Sequence, residues 1–118
     1  MGEKTAVIVE DDFLIAEHFR QLCGKAGVTV LGAADRADKA LKLIRQMKPQ
    51  YILMDVRLKG EEDGVDVANV VHRELPATKV IFITGSNEPP MLDRIMSDHP
   101  YRVLIKPINP DDLNQALS

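Results

Sequence analysis

Short runs of aliphatic and β-branched residues alternate along this chain with longer stretches whose apolar residues return every three or four positions. That alternation constrains the fold more than any other feature, because it demands strands joined by helical crossovers and hence a parallel sheet. Strands are expected at residues 5–10, 28–33, 51–55, 79–84 and 102–106. Four of the five are nearly unbroken apolar runs, as befits strands covered on both faces.

Between them, Ile15, Phe19, Leu22 and Ala26 share one helical face, as do Ala37, Leu41, Ile44 and Met47, and then Val67, Ala68, Val71 and Leu75. Gly27, Pro49 and Pro76 stand where these helices should stop, and Asn109-Pro110 is a cap and first-turn start for a last helix through Leu117. A further helical segment around Met91 to Met96 is less well marked, since Pro89-Pro90 must precede it or form its first turn. Core packing is the expected role of Met91, Ile95 and Met96. The expected architecture is α/β, a (βα)5 doubly wound five-stranded parallel sheet with right-handed crossovers and helices on both faces.

With 118 residues, 45% of them hydrophobic, the chain suffices for one core, and a single domain over 1–118 is expected. Fifteen Lys and Arg against 18 Asp and Glu give a formal charge of −3, which offers no electrostatic basis for binding nucleic acid. The single cysteine, Cys23, cannot form an internal disulfide and is expected to be buried as a small hydrophobe. The start, MGEKTAVIVEDD, lacks an apolar run of signal-peptide length, and no apolar stretch is long enough to span a membrane. A soluble, cytoplasmic protein is expected.

Ligands of open parallel sheets collect at the carboxyl ends of the strands, where the strand order reverses. There the first strand delivers Glu10, Asp11 and Asp12, the third Asp55, the fourth Thr84 and the fifth Lys106 followed by Pro107. Each has an ordinary explanation when taken alone: helix caps for the acids, a turn with Gly85 for Thr84, solvation for Lys106. Their coincidence at four strand ends argues for a site. Clustered carboxylates repel and raise one another's pKa unless a cation neutralises them, and oxygen donors suit a hard divalent ion such as Mg²⁺. Asp55 could then attack a phosphoryl donor while Lys106 offsets charge on the phosphoryl oxygens and Thr84 donates a hydrogen bond.

The segments VIVEDD, ILMDVRL, FITG and LIKP, in this order and spacing, resemble the four signature blocks of response-regulator receiver domains over nearly the whole chain. The resemblance implies a flavodoxin-like fold and a phosphorylation switch in two-component signalling. Asp55 would be the phosphoacceptor, Asp11 a direct Mg²⁺ ligand, Glu10 a ligand largely through water, and Arg57 a ligand through its backbone carbonyl. Thr84 and Lys106 would contact the phosphoryl group, and Asp12 would cap the first helix. The peptide before Pro107 is expected to be cis, aiming Lys106 into the site. A sensor histidine kinase or histidine phosphotransfer protein is the implied donor, and an output domain or target protein the implied receiver of the signal. Homodimerisation is left open, and any enzymatic activity would be confined to self-phosphorylation from small donors and slow autodephosphorylation. Two other readings are a pseudo-receiver that signals without phosphorylation and a small Asp-nucleophile phosphatase. The full set of site residues argues against the first. Arg57 stands where the second needs an aspartate.

The chain departs from the pattern in places. Val103 occupies the position of a usual switch aromatic, and Tyr101 shares its face of the strand about 6–7 Å farther from the site. Gly85 replaces a common alanine, so the readout is expected in the loop through Ser86-Asn87 and the helical segment after it. In the family this chain resembles, the positions of Arg57 and Ser86 flank the phosphoryl group and tune its lifetime; the Arg57 side chain would either pair with or shield that group, or point to solvent. In RLKGEEDG, a longer charged insertion in place of the usual proline, Gly60 and Gly64 are expected to permit backbone turns. None of His18, His72 and His99 has metal-ligand spacing or a catalytic place, and His18 and His72 are expected to be solvated.

Overall fold

The strands of the computed structural model are β1 (Thr5–Val9), β2 (Thr29–Ala34), β3 (Tyr51–Met54), β4 (Lys79–Thr84) and β5 (Arg102–Ile105). The helices are α1 (Phe13–Lys25), α2 (Ala37–Met47), α3 (Gly64–Glu74) and α4 (Pro110–Ala116). The structure describes residues 4–58, 60–85, 93, 95 and 100–117. Most of the helical segment expected around Met91 to Met96 therefore lies outside the described residues, as do Ser86, Asn87 and His99; Asp93 and Ile95 are helical, and Ile95 is buried.

All strand pairs are parallel, in the order β2-β1-β3-β4-β5, so the expected doubly wound α/β sheet is the one observed. Its two faces follow from strand parity. Val7, Val9, Ile52, Met54, Val80 and Phe82 meet Ala40 and Ile44 of α2 and Val67, Ala68 and Val71 of α3. Ala6, Ile8, Tyr51, Leu53, Ile81 and Ile83 meet Phe19, Leu22 and Cys23 of α1 and Leu113 and Ala116 of α4. The three inner strands therefore bury both faces, and their continuous apolar sequences record that. At the β2 edge the register slips between Ala6 and Val7, which pair with Val30 and Gly32 and leave Leu31 as the extra residue.

Three of the helix starts, those of α1, α3 and α4, are fixed by side-chain caps, whereas α2 begins behind Arg36 without one. Asp12 Oδ1 accepts the N–H groups of Leu14 and Ile15 at 2.9 and 3.2 Å, and Asn109 Oδ1 accepts that of Asp111 at 2.8 Å, with Pro110 opening α4. At α3 the cap is reciprocal: Asp63 Oδ1 accepts from Val65 and Asp66, while Asp66 Oδ2 accepts the Asp63 N–H. The ends are as expected at Gly27, whose φ of 78° lies in the left-handed region beyond α1, whereas α2 ends at Met47 and is capped by Lys48, also left-handed at φ 47°, just before Pro49.

Three expectations need correction. Met47, assigned to a core stripe, is 41% exposed, because it is the last residue of α2 and the sheet no longer lies beneath it. His72 is half-buried on α3, not solvated, while His18 is exposed. Gly64 is the first residue of α3 with no positive φ, so it permits no special turn; only Gly60, at φ 94°, does so in that loop. Cys23 is fully buried, which pushes its thiol up to about 11. No helix among the described residues is long and apolar enough to cross a membrane.

Candidate functional site

From β1 the chain leaves toward β2 on one side of the sheet, and from β3 it leaves toward β4 on the other. The carboxyl ends of β1 and β3 therefore adjoin a crevice that no crossover covers, the topological switch point of an open parallel sheet. The acidic residues lie one step past those strands. The Asp55 N–H donates to the Val9 carbonyl at 2.8 Å and the Glu10 N–H to the Ala34 carbonyl at 3.0 Å, which extends both ladders to the rim.

Glu10, Asp11 and Asp55 bring carboxylate oxygens within 4.8 Å of one another. Glu10 and Asp55 are buried, at 4% and 6% exposure, whereas Asp11 faces solvent. From β5, the Lys106 N–H donates to the Thr84 carbonyl at 2.8 Å, and the peptide between Lys106 and Pro107 is cis, as expected. The Lys106 ammonium reaches Glu10 Oε1 at 2.9 Å and stands 3.7 Å from Asp55 Oδ2. The other Glu10 oxygen, Oε2, accepts the Asp12 N–H at 3.1 Å.

The electrostatics follow from this arrangement. Burial, then a hydrogen bond with Glu10 and that group's negative charge, hold the Asp11 carboxyl above its usual value, opposed by Lys106. Three carboxylates against one ammonium leave the cluster two charges negative when all are ionised. An all-oxygen donor set with that excess fits a hard divalent cation. Within it, Glu10 already has both oxygens engaged, one by the Lys106 ammonium and one by the Asp12 N–H.

The structure thus brings Glu10, Asp11, Asp55 and Lys106 together. Thr84 is the buried last residue of β4, tied to Lys106 through the main chain. Arg57 lies two residues past Asp55 with an exposed side chain, and Leu58 beside it packs on the core and anchors the start of the loop. Asp12 caps α1 and stands outside the cluster, as expected. Val103 pairs with Phe82 and packs against the α2/α3-side core, whereas Tyr101 sits at the far, amino end of the sheet, where its ring lies 4.9 Å from the Lys79 ammonium and 6.4 Å from the Tyr51 ring.

Two features escaped the sequence. One is the ion pair between Glu10 and Lys106, separated by nearly the whole chain; β3 and β4 lie between their strands, and the two side chains meet across the carboxyl-end rim of the sheet. The other is Gly64, where an added Cβ would overlap the Asp55 carbonyl oxygen. Its signal was present, since a glycine opening a helix behind an aspartate cap has no conformational reason to be there.

The family described as the response regulator receiver domain matches residues 6–118. Among curated proteins, the chain is 30% identical to the response regulator GacA of Pseudomonas aeruginosa over 114 residues, covering 97% of this chain and 53% of that protein. It is 37% identical to the positive alginate biosynthesis regulatory protein of the same species, covering 94% of this chain and 44% of that one. The chain spans about half the length of these curated relatives. Among solved structures, the signal receiver domain of a modulated diguanylate cyclase from Desulfovibrio desulfuricans superposes with a TM-score of 0.90 at 29% identity, covering 98% of this chain and 91% of that one. A response regulator receiver domain protein from Methanospirillum hungatei does so at 0.87 and 26% identity, covering 97% and 90%. Matched by the family over all but its first five residues, and built on the same sheet, this chain belongs to the response regulator receiver domains of two-component signalling.

Proposed function

We propose that this receiver domain accepts a phosphoryl group on Asp55 from a phosphohistidine of a sensor kinase or histidine phosphotransfer protein, and that the acyl phosphate switches a partner protein or output domain. The observation that carries the reading is the convergence of Glu10, Asp11 and Asp55 within 4.8 Å, with the Lys106 ammonium at 2.9 and 3.7 Å from two of them. An Asp55 oxygen attacks phosphorus, an O–P bond forms, and the P–N bond of the phosphohistidine breaks with its electron pair returning to the imidazole. Lys106 swings from Glu10 to the incoming phosphoryl oxygens, where its charge matters most, and the Thr84 hydroxyl donates to the same group.

Asp11, Asp55 and the Arg57 carbonyl would hold Mg²⁺, with Glu10 acting largely through water; bound there, the ion neutralises and orients the phosphoryl oxygens. The charge excess of the acidic cluster supports that assignment. Exchange in the cytoplasm, by a single domain over 1–118 that makes no direct contact with nucleic acid or membrane, completes the proposal. The net charge of −3 and the unpaired Cys23 support it.

Intact-protein mass spectrometry after incubation with acetyl phosphate tests the chemistry. One added phosphoryl group, dependent on Mg²⁺ and absent in Asp55→Asn, is expected. No gain in the unaltered protein would sink the reading, and rapid turnover of added phosphomonoesters would favour a phosphatase instead.

A further inference from the structure

Asp55 is held from both sides through its main chain. On one side its N–H is bonded to Val9 of β1 at 2.8 Å. On the other, the first residue of α3 comes so close that a Cβ on Gly64 would overlap the Asp55 carbonyl oxygen and meet Met54 Cγ at 2.9 Å. The Gly64 N–H donates to the Val56 carbonyl at 2.7 Å, which bonds α3 to the residue just after Asp55. The reciprocal Asp63–Asp66 cap fixes the turn that carries Gly64.

Nothing else explains a glycine here. Its φ is not positive, so any residue could adopt the conformation, and glycine is among the worst residues for a helix. The need is for close approach. An aspartate side chain has only two torsions, so a shift of its main chain passes almost undiminished to its carboxylate.

From this contact we infer that Gly64 is a positioning residue for Asp55: it seats α3 against the Asp55 carbonyl and thereby sets where the carboxylate points. The inference rests on Asp55 being the phosphoacceptor, but its reach extends to any cation held by the cluster. Adding a methyl group at position 64 must push either α3 or the β3 terminus away, and displacements on the scale of an ångström are costly to reactions that depend on alignment.

Gly64→Ala is the direct test, compared with Val71→Ala, which weakens the same helix from the core side without adding an atom near Asp55. Both are assayed at a temperature where circular dichroism shows each fully folded. Gly64→Ala should slow phosphorylation by acetyl phosphate at saturating Mg²⁺ by about tenfold or more and weaken Mg²⁺ binding roughly threefold, while Val71→Ala stays within about twofold of the unaltered protein in both. Equal losses in the two variants, or none in Gly64→Ala, would overturn the inference. If the unaltered protein accepts no phosphoryl group, the proposed function fails while the Mg²⁺ titration still judges Gly64. If Gly64→Ala does not fold, nuclear magnetic resonance of the unaltered protein decides: added Mg²⁺ should shift the Gly64 amide along with that of Asp11, and an unmoved Gly64 amide would refute the coupling.

Discussion

Glu10 is buried with one oxygen on an ammonium and the other on a backbone N–H, while its neighbour Asp11 is exposed and burdened by Glu10's charge. Adjacent acids thus have different surroundings, and those of Asp11 raise its proton affinity, through burial first and then the hydrogen bond and charge of Glu10. The sign of the consequence is fixed. A carboxyl whose folded-state pKa lies above its unfolded value stabilises the metal-free fold when protonated, below the ordinary carboxylate range, and that stability is lost as pH rises through the raised value. Its solvent exposure keeps the effect modest. Urea unfolding of the metal-free protein across this acidic window should show a decline in stability with rising pH that is smaller in Asp11→Asn. Mg²⁺ should bind progressively less well as pH falls through the same window, because it must displace the proton; a flat calorimetric profile there would contradict the assignment of Asp11 as a ligand.

Helix α1 displays how an element can serve the site and still fall short of its own best stability. Its cap, Asp12, orients the first turn beside the acidic cluster, and that turn presents Phe13 and Leu14 at 74% and 76% exposure while Phe19, Leu22 and Cys23 face the sheet. Near its end stands Gly24, where a Cβ would meet nothing within 4 Å beyond its chain neighbours and the adjacent helix backbone, and which has no positive φ to require glycine. Gly24→Ala should therefore stabilise the protein by about 0.5–1 kcal/mol. Asp12→Ala should destabilise it by about 1 kcal/mol through loss of the cap. Urea midpoints measure both, and a destabilising Gly24→Ala would mean that the helix end needs glycine for a reason the local geometry does not contain. In β5, Val103 is packed beside Phe82, and Tyr101, just before the strand, lies at the opposite end of the sheet from Asp55.

On the scale of the molecule, two cores share one sheet. Each strand contributes alternate residues to both, so neither face can open without disturbing the other. Cooperative unfolding of 1–118 as one unit is the expected behaviour. Cys23 is a built-in reporter of it: fully buried in the core between α1 and the sheet, with a thiol pushed up to about 11. At neutral pH, modification by a thiol reagent should be negligible in the folded protein and should rise with urea along the same curve as circular dichroism. Labelling that precedes the loss of secondary structure would reveal a separately opening α1 and end the single-unit description.

The sequence by itself determined the strands, the caps at Asp12 and Asn109, and the rim at which the acids gather, because these depend on local periodicity and on hydrogen bonds between near neighbours. Asp55 and Asp11 were legible for the same reason: a strand end is a local event, and a parallel sheet places all its carboxyl ends together. What only the tertiary structure decided are relations across the chain. Closure of the sheet brings Lys106, past β5, to Glu10, past β1, with two strands between theirs, and close packing makes Gly64 a contact where a sequence suggests only a turn. Met47 and His72 were misjudged in opposite directions, since a helical stripe names a face but not how far the packing around each position extends. Periodicity encodes direction; distance between segments arises only once the sheet has formed.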